Sequence, residues 1–304
     1  MLLRRVLLFQ AVALADGLCA LLSATLSVNT KTFFGVRLPA LPGGSHLQFN
    51  EGFSKLEAAG TSAAADELLS VGGNVWPSSA AMCRWMSQNA ELVRGARVLE
   101  LGAGTGVCGM YAAGLGAHTA LLTDGQDGLV QLAAENIGLN LALLPGRVGV
   151  QRLSWGEGAL PEGPWDVVIG SDVTYEDGGA MAALATTLHD LLLCQQPHPP
   201  RVVLAHDHRA RSQPSPARWD DDDGKLRAFA VAAASRGLEL ERLAWERPAQ
   251  NVEGGAEAAE APAPRDGAQA ELLDLACRYR DQLNAGERQE VSIMEVLKVR
   301  QSSN

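Results

Sequence analysis

The chain has 304 residues, 47% hydrophobic and 20% charged, the balance of a globular protein whose core is large enough to need no disulfide or metal staple. Acids outnumber Lys and Arg by 35 to 25, giving a net charge of -10 with no basic cluster, so a nucleic-acid partner is excluded. The five cysteines, Cys19, Cys83, Cys108, Cys194 and Cys277, are scattered without a Cys-x-x-Cys pair, which points to reduced, small buried residues rather than a disulfide framework.

Residues 1–28 start with Arg4 and Arg5 and run on as a mainly apolar stretch to Val28. A spanning helix needs about 20 apolar residues, and a secretory leader has a shorter core. Asp16 interrupts the run where a charge is costly in a bilayer. Three readings stay open: a helix packed on the domain, a targeting segment for an organelle or for secretion, and an anchor. A membrane partner is expected only under the third. Apart from these, the chain reads as a cytoplasmic monomer.

Residues 29–73 are rich in Gly, Ser and Ala without a sustained period and form an irregular lead-in. From 74 to 304 strand and helix signals alternate. Pro77 and Ser78 open a helix that Gly95 closes. A continuous apolar strand follows over 96–101, like a buried parallel strand. Next come a helix over 107–115, a strand over 118–124 and a helix over 128–140. Strands at 148–153 and 165–172 precede a helix over 179–194 and a strand over 201–206. A helix over 221–237 carries the aspartates 220–223 at its positive end, and a strand over 238–246 follows. Residues 249–269 are a low-complexity run of Ala, Gly, Glu and Pro, expected to be a flexible insert. A helix over 270–283 and a strand from 291 close the chain. This alternation predicts an α/β, doubly wound, mainly parallel sheet of seven strands with one antiparallel edge strand.

Ligands of such sheets bind beyond the carboxyl ends of the strands. There the stretch 97–116 reads RVLELGAGTGVCGMYAAGLG. Gly102-Ala103-Gly104-Thr105-Gly106 suits an S-adenosylmethionine (SAM) loop, while Gly104 to Gly109 spells the GxGxxG of a dinucleotide site. Asp124 serves either cofactor, since both carry an adenosine ribose. Three features favour SAM. Glu100 would repel a pyrophosphate but suits a sulfonium and an amino group. No second catalytic domain follows to carry a hydride-transfer site. Trp155, Ser171, Asp172 and Tyr175 recur at strand ends, where a second substrate would sit. His206-Asp207-His208 has no further ligands at sensible spacing, so no metal is expected. Asn136 and Asn140 read as a helix end and its cap.

Six stretches in order, NVWPSSAAM (74–82), VLELGAGTGVCGMYAAGLGA (98–117), LLTD (121–124), AENIGLN (134–140), LSWGE (153–157) and WDVVIGSDVTYE (165–176), carry a resemblance. The chain resembles the family-16 methyltransferases, class I seven-β-strand enzymes that use SAM to methylate protein lysines. The resemblance covers about 74–195. It implies that Trp76 lies along the methionine end and that Gly102, Ala103 and Gly104 form the loop beneath it. By the same resemblance Asp124 takes the ribose hydroxyls, Trp155 borders the adenine and Ser171 lines the wall. Asp172 and Tyr175 match the family's acidic-x-x-aromatic motif beside the incoming amine. Two departures stand out: Ser154 where an Asp is usual, and Ser171 where a small apolar residue is usual. The activity implied is SAM-dependent methylation of lysine in a protein substrate. Methylation of histidine or of a small molecule, and a non-catalytic binding module, are the alternatives.

Overall fold

Val98, Leu99 and Leu101 are wholly buried in strand β1 (Arg97–Leu101), because both faces of that strand are covered. The computed structural model describes residues 36–52, 71–175, 178–194, 197–208, 224–246 and 291–298. The apolar run at 1–28, the aspartates 220–223, the insert at 249–269 and the helix expected over 270–283 lie outside those residues.

After helix α1 (Pro77–Gln88) and β1 come α2 (Val107–Gly114), β2 (Thr119–Asp124), α3 (Asp127–Asn140) and β3 (Arg147–Arg152). Then follow β4 (Val167–Ser171), α4 (Gly178–Cys194), β5 (Arg201–Asp207), α5 (Gly224–Ser235), β6 (Leu238–Glu246) and β7 (Val291–Lys298). The sheet order is β3-β2-β1-β4-β5-β7-β6. Strands β1 to β5 pair in parallel, and β7 runs antiparallel to both β5 and β6. The seven strands expected from the sequence are therefore present, and the antiparallel strand, β7, lies one place in from the edge formed by β6. Among the described residues, no helix is long and apolar enough to cross a membrane.

Side chains alternate across the sheet, and the two cores follow that alternation. Val98, Ile169 and Val203 pack with Met82 and Met86 of α1 and Met110 of α2. Leu99, Val168 and Leu204 pack on the other face with Leu184 and Leu188 of α4 and Phe229 of α5. Each such side chain contributes roughly 1.5–3 kcal/mol on burial. That outweighs the strand propensity of any one residue, which spans about 1 kcal/mol at most.

Some boundaries move for local reasons. Helix α1 ends at Gln88 rather than at Gly95, because the Asn89 side chain donates to the Trp85 carbonyl at 2.8 Å and a 3₁₀ turn, Ala90–Leu92, follows. Strand β4 stops at Ser171 because Asp172 adopts a left-handed φ of 57°.

The lead-in is fastened by side-chain amides. Asn140 Oδ1 accepts from the Gln48 N–H at 2.8 Å, and Asn136 Oδ1 accepts from the Asn50 N–H at 2.7 Å. Their Nδ2 groups donate back to the Gln48 and Asn50 carbonyls, and Asn136 also donates to the Thr105 carbonyl at 2.9 Å. Leu47 and Phe49, on alternate positions, enter the core. Beyond closing the end of α3, the two asparagines thus bind a distant backbone much as a neighbouring strand would.

Replacing Asn136 by Ala orphans polar groups that are buried or partly so. Each such group costs about 1–3 kcal/mol when unmet. Asn136→Ala should lower unfolding free energy by at least that much in urea titrations and open residues 36–52 to limited proteolysis. Unchanged stability would show that water replaces the clamp.

Candidate active site

Beyond the carboxyl ends of β1, β2 and β4 lies a cleft of about 300 Å3, at the lower end for a small-molecule site. Its floor is the turn from β1 into α2. Gly102 and Gly104 have φ of 61° and 52°, a region that side chains avoid. A Cβ on Gly104 would collide with the Gly72 carbonyl oxygen, and one on Gly102 would come within 2.7 Å of Val173. The floor is bare backbone because neighbouring chain lies directly against it.

Asp124 holds this floor in place. Its Oδ2 accepts from the Gly104 N–H at 3.0 Å and its Oδ1 from the Gln126 N–H at 3.1 Å. Burial raises its pKa above the usual 3.8, against the lowering effect of the Gly104, Gln126 and Gly125 N–H groups. Although it ends a strand, Asp124 is nine-tenths buried, because the loop folds back on it.

Most of the residues singled out in the sequence meet in this cleft. Trp76, Gly102, Ala103, Gly104, Asp124, Trp155, Ser171, Asp172 and Tyr175 all line it. Trp76 sits immediately before Pro77 at the start of α1. The turn after Trp155 is anchored where the Gly156 N–H donates to Thr187 Oγ1 of α4 at 2.9 Å. Ser171 Oγ lies 3.2 Å from Ser79 Oγ of α1, closing the wall between β4 and that helix. The Asp172 N–H donates to the Ala205 carbonyl at 2.9 Å, which ties the turn after β4 to β5.

Glu100 is the exception: it is not among the lining residues. It shares strand parity with Val98 and so faces α2, where its Oε2 accepts the Gly109 N–H at 2.9 Å. Gly109 has no side chain to obstruct this approach; a Cβ there would stand 2.5 Å from that oxygen. The helix N-terminus favours a negative charge by up to ~2 kcal/mol, but removing a carboxylate from water costs several kcal/mol. Desolvation wins. Burial first, then Cys108, pushes the Glu100 pKa well above 4.5, with the Asp124 charge adding to the shift. The neighbouring Cys83 and burial likewise push the Cys108 thiol up, which disfavours its thiolate.

Two features escaped the sequence reading. His206 and His208 are buried hydrogen-bonding groups: His206 Nδ1 pairs with Thr174 Oγ1 at 2.6 Å and His208 Nε2 with Ser292 Oγ at 2.8 Å. Thr174 lies inside the turn bearing Asp172 and Tyr175, so β5 supports that turn from behind. The second is Asn74, a lining residue at the head of the stretch 74–82 to which the sequence analysis assigned no role.

A family model described as lysine methyltransferase matches residues 56–215. Protein N-lysine methyltransferase METTL21A of Danio rerio is 36% identical over 126 residues, which make up 40% of this chain and 56% of that protein. Protein-lysine N-methyltransferase EFM3 of Chaetomium thermophilum is 32% identical over 159 residues, 48% of this chain and 44% of that protein. EEF1A lysine methyltransferase 3 of Mus musculus is 37% identical over 145 residues, 47% of this chain and 58% of that protein. The chain spans about half the length of these curated relatives.

The buried acid behind the floor gives a pH signature. Unfolded, Glu100 ionises near 4.5; folded, it keeps its proton well above that. Native stability is therefore full below the unfolded value and declines as pH rises through the folded one. Glu100→Gln, which imitates the protonated acid, should remove that decline and exceed the wild type in stability at the alkaline end. Urea titrations from about pH 5 to about pH 8 read this out; parallel curves for the two proteins would refute it.

Proposed function

The chain belongs to the lysine methyltransferase family, and on that footing we propose that it transfers a methyl group from SAM to a lysine side chain of a protein substrate. One observation carries the proposal. A bare glycine floor lies between a carboxylate at the tip of β2 and an acid–phenol pair beyond β4. The residues fit the cofactor: Asp124 would bond the ribose hydroxyls, Trp155 would border the adenine, and Trp76 and Ser171 would flank the methionine end. Glu100 supports this loop from behind through α2.

When bound, the sulfonium of SAM supplies an activated methyl carbon, so a metal or a covalent protein intermediate is unnecessary. What the chain contributes is placement. An amine held in line with the breaking bond gains most from lost translational freedom. A free lysine has a pKa near 10.4 and is charged at neutral pH. The proton must leave before attack, and a low-dielectric slot favours the neutral amine. Asp172 would accept a hydrogen bond from the lysine Nζ and so orient its lone pair, while the ring of Tyr175 walls the slot. The left-handed φ of Asp172 is what turns the chain off β4 at this point. A cytoplasmic protein substrate and a monomeric enzyme complete the reading.

Titration calorimetry with S-adenosylhomocysteine (SAH) and NADH tests the cofactor, and binding of NADH without SAH would refute the proposal. Labelled SAM with a cell lysate tests the acceptor. A labelled protein lysine is expected; label on histidine or on a small molecule would replace the substrate assignment.

Asp124→Ala removes bonds to the ligand and to the loop alike. SAH affinity should fall roughly tenfold to a hundredfold, as for a charge-assisted hydrogen bond, and thermal stability should drop with it. In the wild type, SAH affinity should weaken on acidification at a pH above the 3.8 of an ordinary aspartate, because Asp124 takes up a proton early. Affinity flat through that range would remove the carboxylate from ligand binding.

Cofactor and acceptor effects should separate at the tip of β4. Asp172→Ala is expected to abolish most turnover of the labelled substrate with little change in SAH affinity. Tyr175→Phe keeps the ring and should be milder than Tyr175→Ala. Full turnover in both alanine variants would take these residues out of the mechanism.

A further inference from the structure

Asn74 lines the cleft yet belongs to neither the glycine motif nor the acid–aromatic motif. It is 4% exposed, and its amide oxygen is buried with no hydrogen-bond partner among the described residues. Native structures leave few buried acceptors unmet, so an unmet one at a ligand cleft calls for an explanation.

Its surroundings narrow what would satisfy it. The Gly72 carbonyl lies over Gly104, and the Val75 N–H is held by Glu51 Oε1 at 2.8 Å. Asn74 stands between these two points, on backbone that runs against the glycine floor on one side and is held by Glu51 on the other. The sheet order then gives a direction. Asp124 at the tip of β2 marks the ribose side. The Ser79–Ser171 contact beside β4 marks the opposite side. A cofactor with its ribose at Asp124 extends over β1 toward β4, and that end of it is an α-amino acid.

The described lining residues include two carboxylates, Asp124 and Asp172, and no Lys or Arg. An ammonium and a carboxylate arriving together therefore need a neutral group that both accepts and donates. A carboxamide does both, and a half-turn of its side chain exchanges the two atoms. We propose that Asn74 recognises the amino-acid head group of the cofactor, accepting from its ammonium and donating to its carboxylate. The inference rests on the SAM reading above and adds a residue that discriminates among adenosine-containing ligands.

Calorimetry on the full chain with two probes tests it: SAH, and 5′-methylthioadenosine, which keeps the adenosine and thioether but lacks the head group. Asn74→Leu should weaken SAH roughly tenfold to a hundredfold and leave methylthioadenosine within about twofold. Methylthioadenosine binding also reports that the variant has folded. Should the leucine variant fail to fold, Asn74→Ala, which removes both the accepting and the donating atom, should give the same split. Parallel losses on both probes, or SAH affinity unchanged, overturn the inference while leaving the SAM reading intact. A wild-type chain that binds neither probe overturns the SAM reading and the inference with it.

Discussion

Asp124 stands at the tip of β2 with its two oxygens on two separate stretches of backbone, the Gly104 N–H and the Gln126 N–H. A buried carboxylate without hydrogen bonds would cost several kcal/mol, so this geometry is strongly favoured once the side chain is enclosed. The loop between β1 and α2 and the start of α3 are thereby referred to one group. The glycines permit the loop its left-handed turns, but they do not select among them. The carboxylate does. The same residue is the one best placed to meet a ribose, so the group that shapes the floor is also offered to the ligand.

A second layer keeps that floor from shifting. Asn136 reaches from α3 to the Thr105 carbonyl on one side and to the backbone of Asn50 on the other. Glu100 fixes the first turn of α2 through Gly109. From the far side, the Thr174–His206 bond holds the turn that carries Asp172 and Tyr175. None of these groups is positioned by its own flexibility; each is a buried polar atom satisfied by a specific distant partner. Proximity catalysis needs such rigidity, because it derives its gain from geometry that is set before the reactants meet.

Local pattern made the fold legible. The run 96–101, the Gly-x-Gly-x-Gly turn, the acid ending the next strand and the alternation of short apolar runs with alanine-rich helices all report neighbours close in sequence. Trp76, Trp155, Ser171, Asp172 and Tyr175 reach the cleft because strand ends in a parallel sheet converge there. Glu100 lies behind the cleft lining rather than in it, because motif logic names a position and not a face. Its parity with Val98 was visible, but which face carried α2 was not. The asparagine clamp was illegible for another reason: its partners lie 86 and 92 positions away, with no compositional mark on Gln48 or Asn50. The burial of Asp124 was illegible too, since it arises only when the loop is folded back over the strand end.

Strand β7 lies between β5 and β6 although it follows both in the chain. Among the described residues β6 pairs with β7 alone, and Ser292 of β7 completes the bond to His208, 84 positions earlier. Synthesis at roughly 5–20 residues per second leaves about 4–17 s between the emergence of those two positions. Until β7 is made, the β5 edge at Val203 and Leu204 and the whole of β6 lack the partner that pairs with them among the described strands. An open edge next to apolar side chains is a template for self-association. Among the described strands β7 is the last made, and its pairing is what covers the β5 edge, far in sequence from the residues that form the cleft.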